Sequence, residues 1–316
     1  MGSNPSLGTK LFMFVVVGIV GVAVVQATPT VQDLITEQLS VIRAFLKLDG
    51  IGIAALINAV LYFSLLSIIL PLVIFVPFLI FEIVYGRSKK NHRVVVKSFV
   101  FKVTGLAIVA FIGLLLTRVD PRRYVDDPVL VLNAGSLGGL TAIGSSVLIA
   151  VLALIVYDLA VYVAHYAQHK FAFLWRFHAV HHSIHDLDSL NSYTHPVDFV
   201  GQWIVMVAFA VLCDFRYEQF ILLGAFKEAH ERFLHTNMNL NFGFMKNILI
   251  DNRHHFLHHS IRREDYDTNF AAYFTLWDRV FGTYRSPAET LGETGVVDLQ
   301  EPRNVTEYLT ASLKAR

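Results

Sequence analysis

Histidine is the residue type in this chain whose spacing could do chemistry. Thirteen of the fourteen histidines lie between positions 165 and 259, and most stand three or four residues apart. The groups are His165 and His169; His178, His181 and His182; and His255, His258 and His259. On an α-helix, residues at those spacings project from one face, so each group can aim two or three imidazoles at one point. Imidazole is the commonest metal ligand among side chains. A single such pair would ordinarily be a satisfied core pair, but three groups in one stretch point to a polynuclear metal centre. The one cysteine, Cys213, excludes a disulfide framework, thiolate zinc sites and cysteine-ligated iron–sulfur clusters. Any metal must be held by nitrogen and oxygen.

The elements that would position these rings belong to a membrane protein. The chain is 54% hydrophobic and 16% charged, with mean hydropathy +0.52, and its apolar residues come in long blocks. A net charge of +1 and the lack of a basic patch interleaved with aromatics exclude an electrostatic nucleic-acid binder. The expected fold class is all-α: about four membrane spans plus a re-entrant helical hairpin, carrying a cytoplasmic histidine-rich helical cap. Leu11 to Val25 reads either as a cleaved leader ending near Ala27 or as a first span, and the later topology is the same for both. Gly2 with Ser6 also fits the bare myristoylation pattern, which is short and often matched by chance. Residues 28–50 look like a short amphipathic connection.

Ile51 to Val84, 34 residues broken by Pro71 and Pro77, exceeds the roughly 20 needed to span and requires tilt, a kink or an interfacial extension. The basic run Arg87, Lys89, Lys90, Arg93 and Lys97 is cytoplasmic by the positive-inside rule. Val103 to Leu116 leads outward to a turn with Asp120, Pro121, Arg122 and Arg123, and a block from about Leu140 to Val163 returns with His165 and His169 at its inner end. The apolar interval Phe199 to Phe226 has histidines on both sides, so both ends must face the same way if one site is built. Its 28 residues are too few for the about 40 that two full crossings need, and Asp214-Phe215-Arg216 interrupts it. A hairpin dipping into the bilayer satisfies both conditions where its bend is covered. Three regions follow: a membrane-spanning part over 1–139, a histidine-motif domain over 140–285, and an ordinary polar tail over 286–316.

In order, the motifs are His165-Tyr-Ala-Gln-His169; His178-Ala-Val-His181-His182; His235-Thr-Asn237; and His255-Phe-Leu-His258-His259. With the closing Leu276-Trp277-Asp278-Arg279-Val280-Phe281-Gly282, they resemble the fatty acid hydroxylase and sterol desaturase superfamily of membrane oxidases over about residues 150–285. The resemblance implies an oxidoreductase with a non-haem di-iron centre facing the cytoplasm. It would use O2 and a lipid substrate from the bilayer, such as a sterol or fatty acyl chain. Carried over by position, the implied catalytic iron ligands are His165, His169, His178, His181, His182, His255, His258 and His259, with His235 as a ninth. His195, before Pro196, stands where many members carry a further metal-binding histidine. His254, His185 and His230 read as neighbours rather than ligands, and His92 as unrelated. The resemblance leaves hydroxylation by a monooxygenase, desaturation and ether cleavage open, and implies a polytopic protein of the bacterial inner membrane or endoplasmic reticulum.

Neutral imidazoles bind Fe(II), and zinc can replace iron in recombinant material. Each ring needs a carboxylate or carbonyl to fix its tautomer. Asp158 is the first choice, two helical turns before His165, with Asp186, Asp188, Glu228, Glu231, Asp251, Asn237 and Asn269 also nearby. The aromatic run around Trp277 and Phe281 reads as a packing lock. Membrane segments and the histidine region fill the chain, so electrons must come from a separate donor such as cytochrome b5, a ferredoxin or a reductase. Two other classes fit less well. A histidine-lined metal transporter would place ionisable groups in mid-span, and a zinc-dependent hydrolase needs three ligands and a base as in HExxH. The topology is testable by cysteine labelling in sealed vesicles after Cys213 is replaced. Probes at positions 91, 186 and 262 are expected to be protected together while one at 122 reacts from outside; opposite labelling of 186 and 262 defeats the single-site arrangement.

Overall fold

The computed structural model describes residues 76–87, 92–116, 140–212, 217–287 and 290–315. The expectations for residues 1–75, for Lys89 and Lys90, for the turn at 120–123 and for Cys213 to Arg216 lie outside them. What is described is helical. No strand occurs among the described residues, and pairing is limited to isolated bridges such as Leu249 with Phe274 and Ser260 with Thr294.

Helix α1, Val76–Tyr85, is short and apolar but carries Glu82, which is buried. Its carboxylate accepts from the Ser189 backbone N–H at 3.0 Å, the Ser189 hydroxyl at 2.5 Å and the Asn237 N–H at 2.7 Å. One side chain thereby ties two loops of the histidine region to this apolar helix, and charge-assisted bonds of this kind are about twice as strong as neutral ones. Helix α2, His92–Leu116, contributes Phe101, which stacks on Tyr308 at 4.7 Å and meets Tyr193 edge-on at 5.0 Å.

Helix α3, Leu140–Lys170, is 31 residues long, or about 46 Å at 1.5 Å per residue. Its stretch Val151–Lys170 is long and apolar enough to cross a membrane by length and composition. Phe171, with φ −97° and ψ 115°, breaks the helical conformation, and α4, Ala172–His182, begins at once. This tight break folds α4 back on α3 and brings the first two histidine groups together. Helix α5, Pro196–Leu212, starts on a proline, whose fixed φ and missing N–H suit a first helical position. Helix α6, Tyr217–Leu234, runs alongside it: Lys227 donates to Gln202 at 3.0 Å, pairing the first half of α5 with the last half of α6. The expected helical hairpin is therefore present as two adjacent helices running in opposite directions.

Three short helices complete the histidine region. α7, Asn252–His258, is capped by Asp251, which accepts from the N–H groups of Arg253 and His254. α8, Leu276–Phe281, ends at Gly282 with φ 77°, a left-handed position that glycine takes without penalty. α9, Val305–Thr310, is capped by Asn304. The expectation of an ordinary polar tail over 286–316 needs correction. Tyr308 is fully buried between Phe101 and Tyr193 with its hydroxyl on Thr194 O at 2.6 Å, and Glu301 pairs with Lys97 at 2.5 Å. The segment is polar because its buried contacts are hydrogen bonds and ion pairs as much as apolar packing.

The segment Phe270–Phe274 crosses α3 with its backbone N–H groups held by two buried carboxylates. Asp158 accepts from Ala272 at 2.9 Å and from Tyr273 and Phe274 at 3.0 Å; Asp278 accepts from Phe270 at 2.8 Å and Ala271 at 3.1 Å. Trp277 donates to Ile155 O at 3.1 Å, and Phe281 stacks on Tyr162 at 5.1 Å, the packing lock expected from sequence. Stranding three buried donors at about 1–3 kcal/mol each makes Asp158→Ala severe. A loss of at least about 3 kcal/mol in unfolding free energy, or no solubly folded protein at all, is expected in a detergent thermal melt, against a milder loss for Asp158→Asn. An unchanged melt would remove this carboxylate from the framework.

Candidate metal centre

Nine histidines converge in two adjoining groups. His165, His169, His178, His182 and His258 form one; His181, His235, His255 and His259 form the other, and within each group the facing nitrogens lie within 4.8 Å of one another. Each element supplies what its spacing allows. α3 gives the pair at 165 and 169; α4 gives His178 and His182 to the first group and His181, on an adjacent face, to the second. α7 and its C-cap split likewise, His258 joining the first group and His255 and His259 the second. His235 follows the last residue of α6. The groups touch where His182 and His259 stack at 4.1 Å.

The hydrogen bonds on the outer nitrogens determine what the inner ones are. Carbonyls and ionised carboxylates only accept, so a ring nitrogen bonded to one carries the proton. Nδ1–H donates to Phe270 O from His165 at 2.9 Å, to Tyr193 O from His181 at 3.0 Å, to Glu231 O from His235 at 2.6 Å and to Thr268 O from His258 at 2.7 Å. His178 donates to Asp198 at 3.0 Å. The Nε2 of each of these rings then faces inward, as a lone pair wherever the ring is neutral. These inner nitrogens meet other imidazole nitrogens at short range: His165 to His178 and His181 to His235 at 3.1 Å, and His235 to His255 at 2.9 Å. His258 Nε2 is buried with no partner at all among the described residues. Apposed lone pairs repel, and a buried acceptor without a donor costs about 1–3 kcal/mol. A cation in each group would turn the same geometry into coordination, and an all-imidazole donor set suits iron, zinc and related transition metals.

Burial reinforces this state. Loss of hydration, and after it the neighbouring imidazoles, hold His182, His235, His255, His258 and His259 well below the usual histidine range. His181 is pushed down to about 4 by burial and by His178. The rings stay neutral and ligating at physiological pH.

The nine implied ligands with a partner group are thus all brought together, and His195 is not. It precedes α5, takes the Val197 N–H on Nδ1 at 3.2 Å and points Nε2 at Leu309 O, so it terminates a helix beside the C-terminal segment. His254 belongs to the α7 capping box, His185 bonds Thr294 O, and His230 bonds Ala272 O at 2.7 Å; all three lie outside the groups. Asp158 does not touch a histidine. It acts one step removed, holding the backbone whose Phe270 carbonyl orients His165. The carboxylates that do reach ligand rings are Asp198, on His178, and Asp267, 3.5 Å from His169. Neither was singled out from sequence, although Asp198 stands three residues after His195 in the same motif. Glu82 was also passed over; the available signal was a lone carboxylate in a long apolar run, which demands a partner.

A family model described as fatty acid hydroxylase matches residues 150–283, the stretch that contains both groups. Over this domain the chain is similar to the fatty acid hydroxylase family. Among curated relatives, the ornithine lipid hydroxylase OlsE of Rhizobium tropici is 29% identical over 152 residues, covering 46% of this chain and 46% of the relative. The alkylglycerol monooxygenase of Homo sapiens is 28% identical over 151 residues, covering 47% of this chain and 34% of that protein. The alkylglycerol monooxygenase of Danio rerio is 29% identical over 129 residues, covering 40% and 28%. The chain thus spans less than half the length of these relatives. No solved structure matches. The matched relatives are named as a hydroxylase and as monooxygenases, and the histidine groups of this chain fit a metal such as iron.

Because the hydroxylase domain splits its ligands five and four, the two groups can be emptied separately. His258→Ala and His181→Ala are each expected to lower the metal content measured by mass spectrometry by about one ion per chain, and the double variant to hold almost none. Full occupancy in the double variant would mean that the metal lies elsewhere.

Proposed function

We propose that this chain is a polytopic, membrane-bound non-haem di-iron monooxygenase that hydroxylates a lipid, with its metal centre facing the cytoplasm. The observation that carries this reading is the convergence of nine imidazoles into two adjoining, largely buried groups, within a domain whose relatives are named hydroxylases and monooxygenases. Two groups support two irons. A zinc hydrolase would need far fewer ligands than the nine gathered here. A transporter would need its histidines to give way to one another along a path, whereas five of these rings are held by hydrogen bonds on their outer nitrogens.

When bound, two irons supply the reduction of O2 and the oxidising power to break an unactivated C–H bond. The protein's own part is positional. Thr268, Phe270, Tyr193 and Glu231 carbonyls and the Asp198 carboxylate hold the rings in one tautomer. Asp158 and Asp278 hold the backbone that carries Phe270. Burial keeps water from the centre, which protects reactive species from quenching. In a hydroxylation one oxygen atom of O2 enters the C–H bond and the other leaves as water, with two electrons and two protons from outside. A separate redox protein is the donor in this reading.

The names of the relatives favour oxygen insertion over desaturation and point to two lipid classes for assay, ornithine lipids and alkylglycerols. Iron-loaded protein in nanodiscs, given each lipid with a reductase–ferredoxin pair, is expected to consume O2 and to place label from 18O2 in the product of one class. Label from H218O instead, after exchange is controlled, or turnover without O2 would overturn the oxygenase assignment.

A further inference from the structure

A cavity of about 830 Å³ opens beside the five-histidine group, within the size range of small-molecule sites. Its floor includes His169, His182 and His258. Trp175 lies over that floor, 5.0 Å from His169 and 5.6 Å from His182. The opposite wall comes from the C-terminal segment, where Val296, Leu299 and Ala315 give an apolar surface. Gly295, at φ 138°, lets that segment approach His185 so closely that a Cβ would lie 2.6 Å from its ring, so the wall is held where it is.

The charged members of the lining are Arg263, Lys314, Asp267 and Asp298. Asp267 is paired with Lys170 at 2.6 Å. Arg263, Lys314 and Asp298 are exposed and have no side-chain ion-pair or hydrogen-bond partner among the described residues. The cavity is therefore graded, with two cations and one carboxylate unpaired at its solvent-facing side, apolar wall and indole between, and ligand nitrogens at the floor. A neutral ligand would leave all three charges unmatched, and a purely anionic one would set its charge against Asp298. A ligand with both signs of charge at one end and hydrocarbon next to it matches every layer.

We propose that this cavity is a head-group pocket for a zwitterionic amphiphile, whose first carbons beyond the head then lie against the five-histidine group. The proposal rests on the di-iron monooxygenase reading for its consequence: the C–H bonds oxidised are those near the head group rather than in mid-chain. Arg263 and Lys314 would take the anionic group, Asp298 the cationic one, and Trp175 the adjoining methylenes.

The test uses the full-length protein in nanodiscs with cobalt(II) in place of iron, and myristoyl lysophosphatidylethanolamine as probe against uncharged monomyristoylglycerol. Paramagnetic broadening is expected to be strongest in the probe's glycerol and head-group protons and weakest at its terminal methyl. The double variant Arg263→Glu/Lys314→Glu is expected to weaken the lysophosphatidylethanolamine by about tenfold and to leave the neutral probe unchanged. Strongest broadening at the terminal methyl, equal binding of both probes, or no effect of the double variant would overturn the proposal. Calorimetric titration of the metal-free protein with the same probes tests the pocket on its own. Protein that takes up no cobalt while discriminating between the probes refutes the metal centre and keeps the pocket.

Discussion

Nine imidazoles, most of them buried, cannot turn lone pairs toward one another a few ångströms apart without something positive between them, and the architecture of the histidine region follows from that constraint. Each ring must stay neutral, must present Nε2 rather than Nδ1, and must be prevented from turning away. Burial secures the first condition by raising the cost of protonation. Outer hydrogen bonds secure the second and third, and in this protein they come mostly from backbone carbonyls. A carbonyl has no alternative to accepting, so it fixes the tautomer without adding a charge that would pull a proton onto the ring.

Backbone carbonyls can do this only if the backbone itself is held, and here buried carboxylates do the holding. Asp158 and Asp278 take five consecutive N–H groups of the segment Phe270–Phe274, which leaves its carbonyls free to face histidines. Glu82 does the same for the loops at Ser189 and Asn237. Asp251 caps α7, the helix that carries ligands to both groups. Carboxyl groups thus sit one layer out from most of the rings, with their oxygens saturated by N–H donors. Arginine and lysine reach this layer too: Arg253 is fully buried against Asp251 at 2.7 Å.

The C-terminal segment shows how the polar part of the chain is enlisted. Tyr308, Glu301 and Ala315 attach it to α2 and α4, and the same segment walls the cavity that reaches the five-histidine group. On the proposed reading, an amphiphilic substrate would meet surfaces of both kinds, apolar helices for its chain and charged residues at the cavity for its polar end. α3 joins the two directly, because it is an apolar helix that ends in His165 and His169.

What sequence alone determined was chemistry and local placement. Histidine spacing on helices is a short-range property, so the groups 165 and 169, 178, 181 and 182, and 255, 258 and 259 were legible from periodicity, and the family motif carried His235 with them. The helical hairpin followed from counting residues between two ends that had to face the same way. What only tertiary structure decided was the division into groups of five and four, since His181 and His182, or His258 and His259, are neighbours in sequence but point to different metals' worth of space. It also decided that Asp198, not Asp158, reaches a ring, and that His195 ends a helix instead of joining the centre. Those outcomes depend on contacts between residues up to more than a hundred positions apart, such as Asp158 with Tyr273 and Tyr308 with Thr194. No local pattern encodes them, because a carboxylate or a histidine is suited equally to a backbone N–H, a helix end or a neighbouring ring until the fold brings one of them within reach.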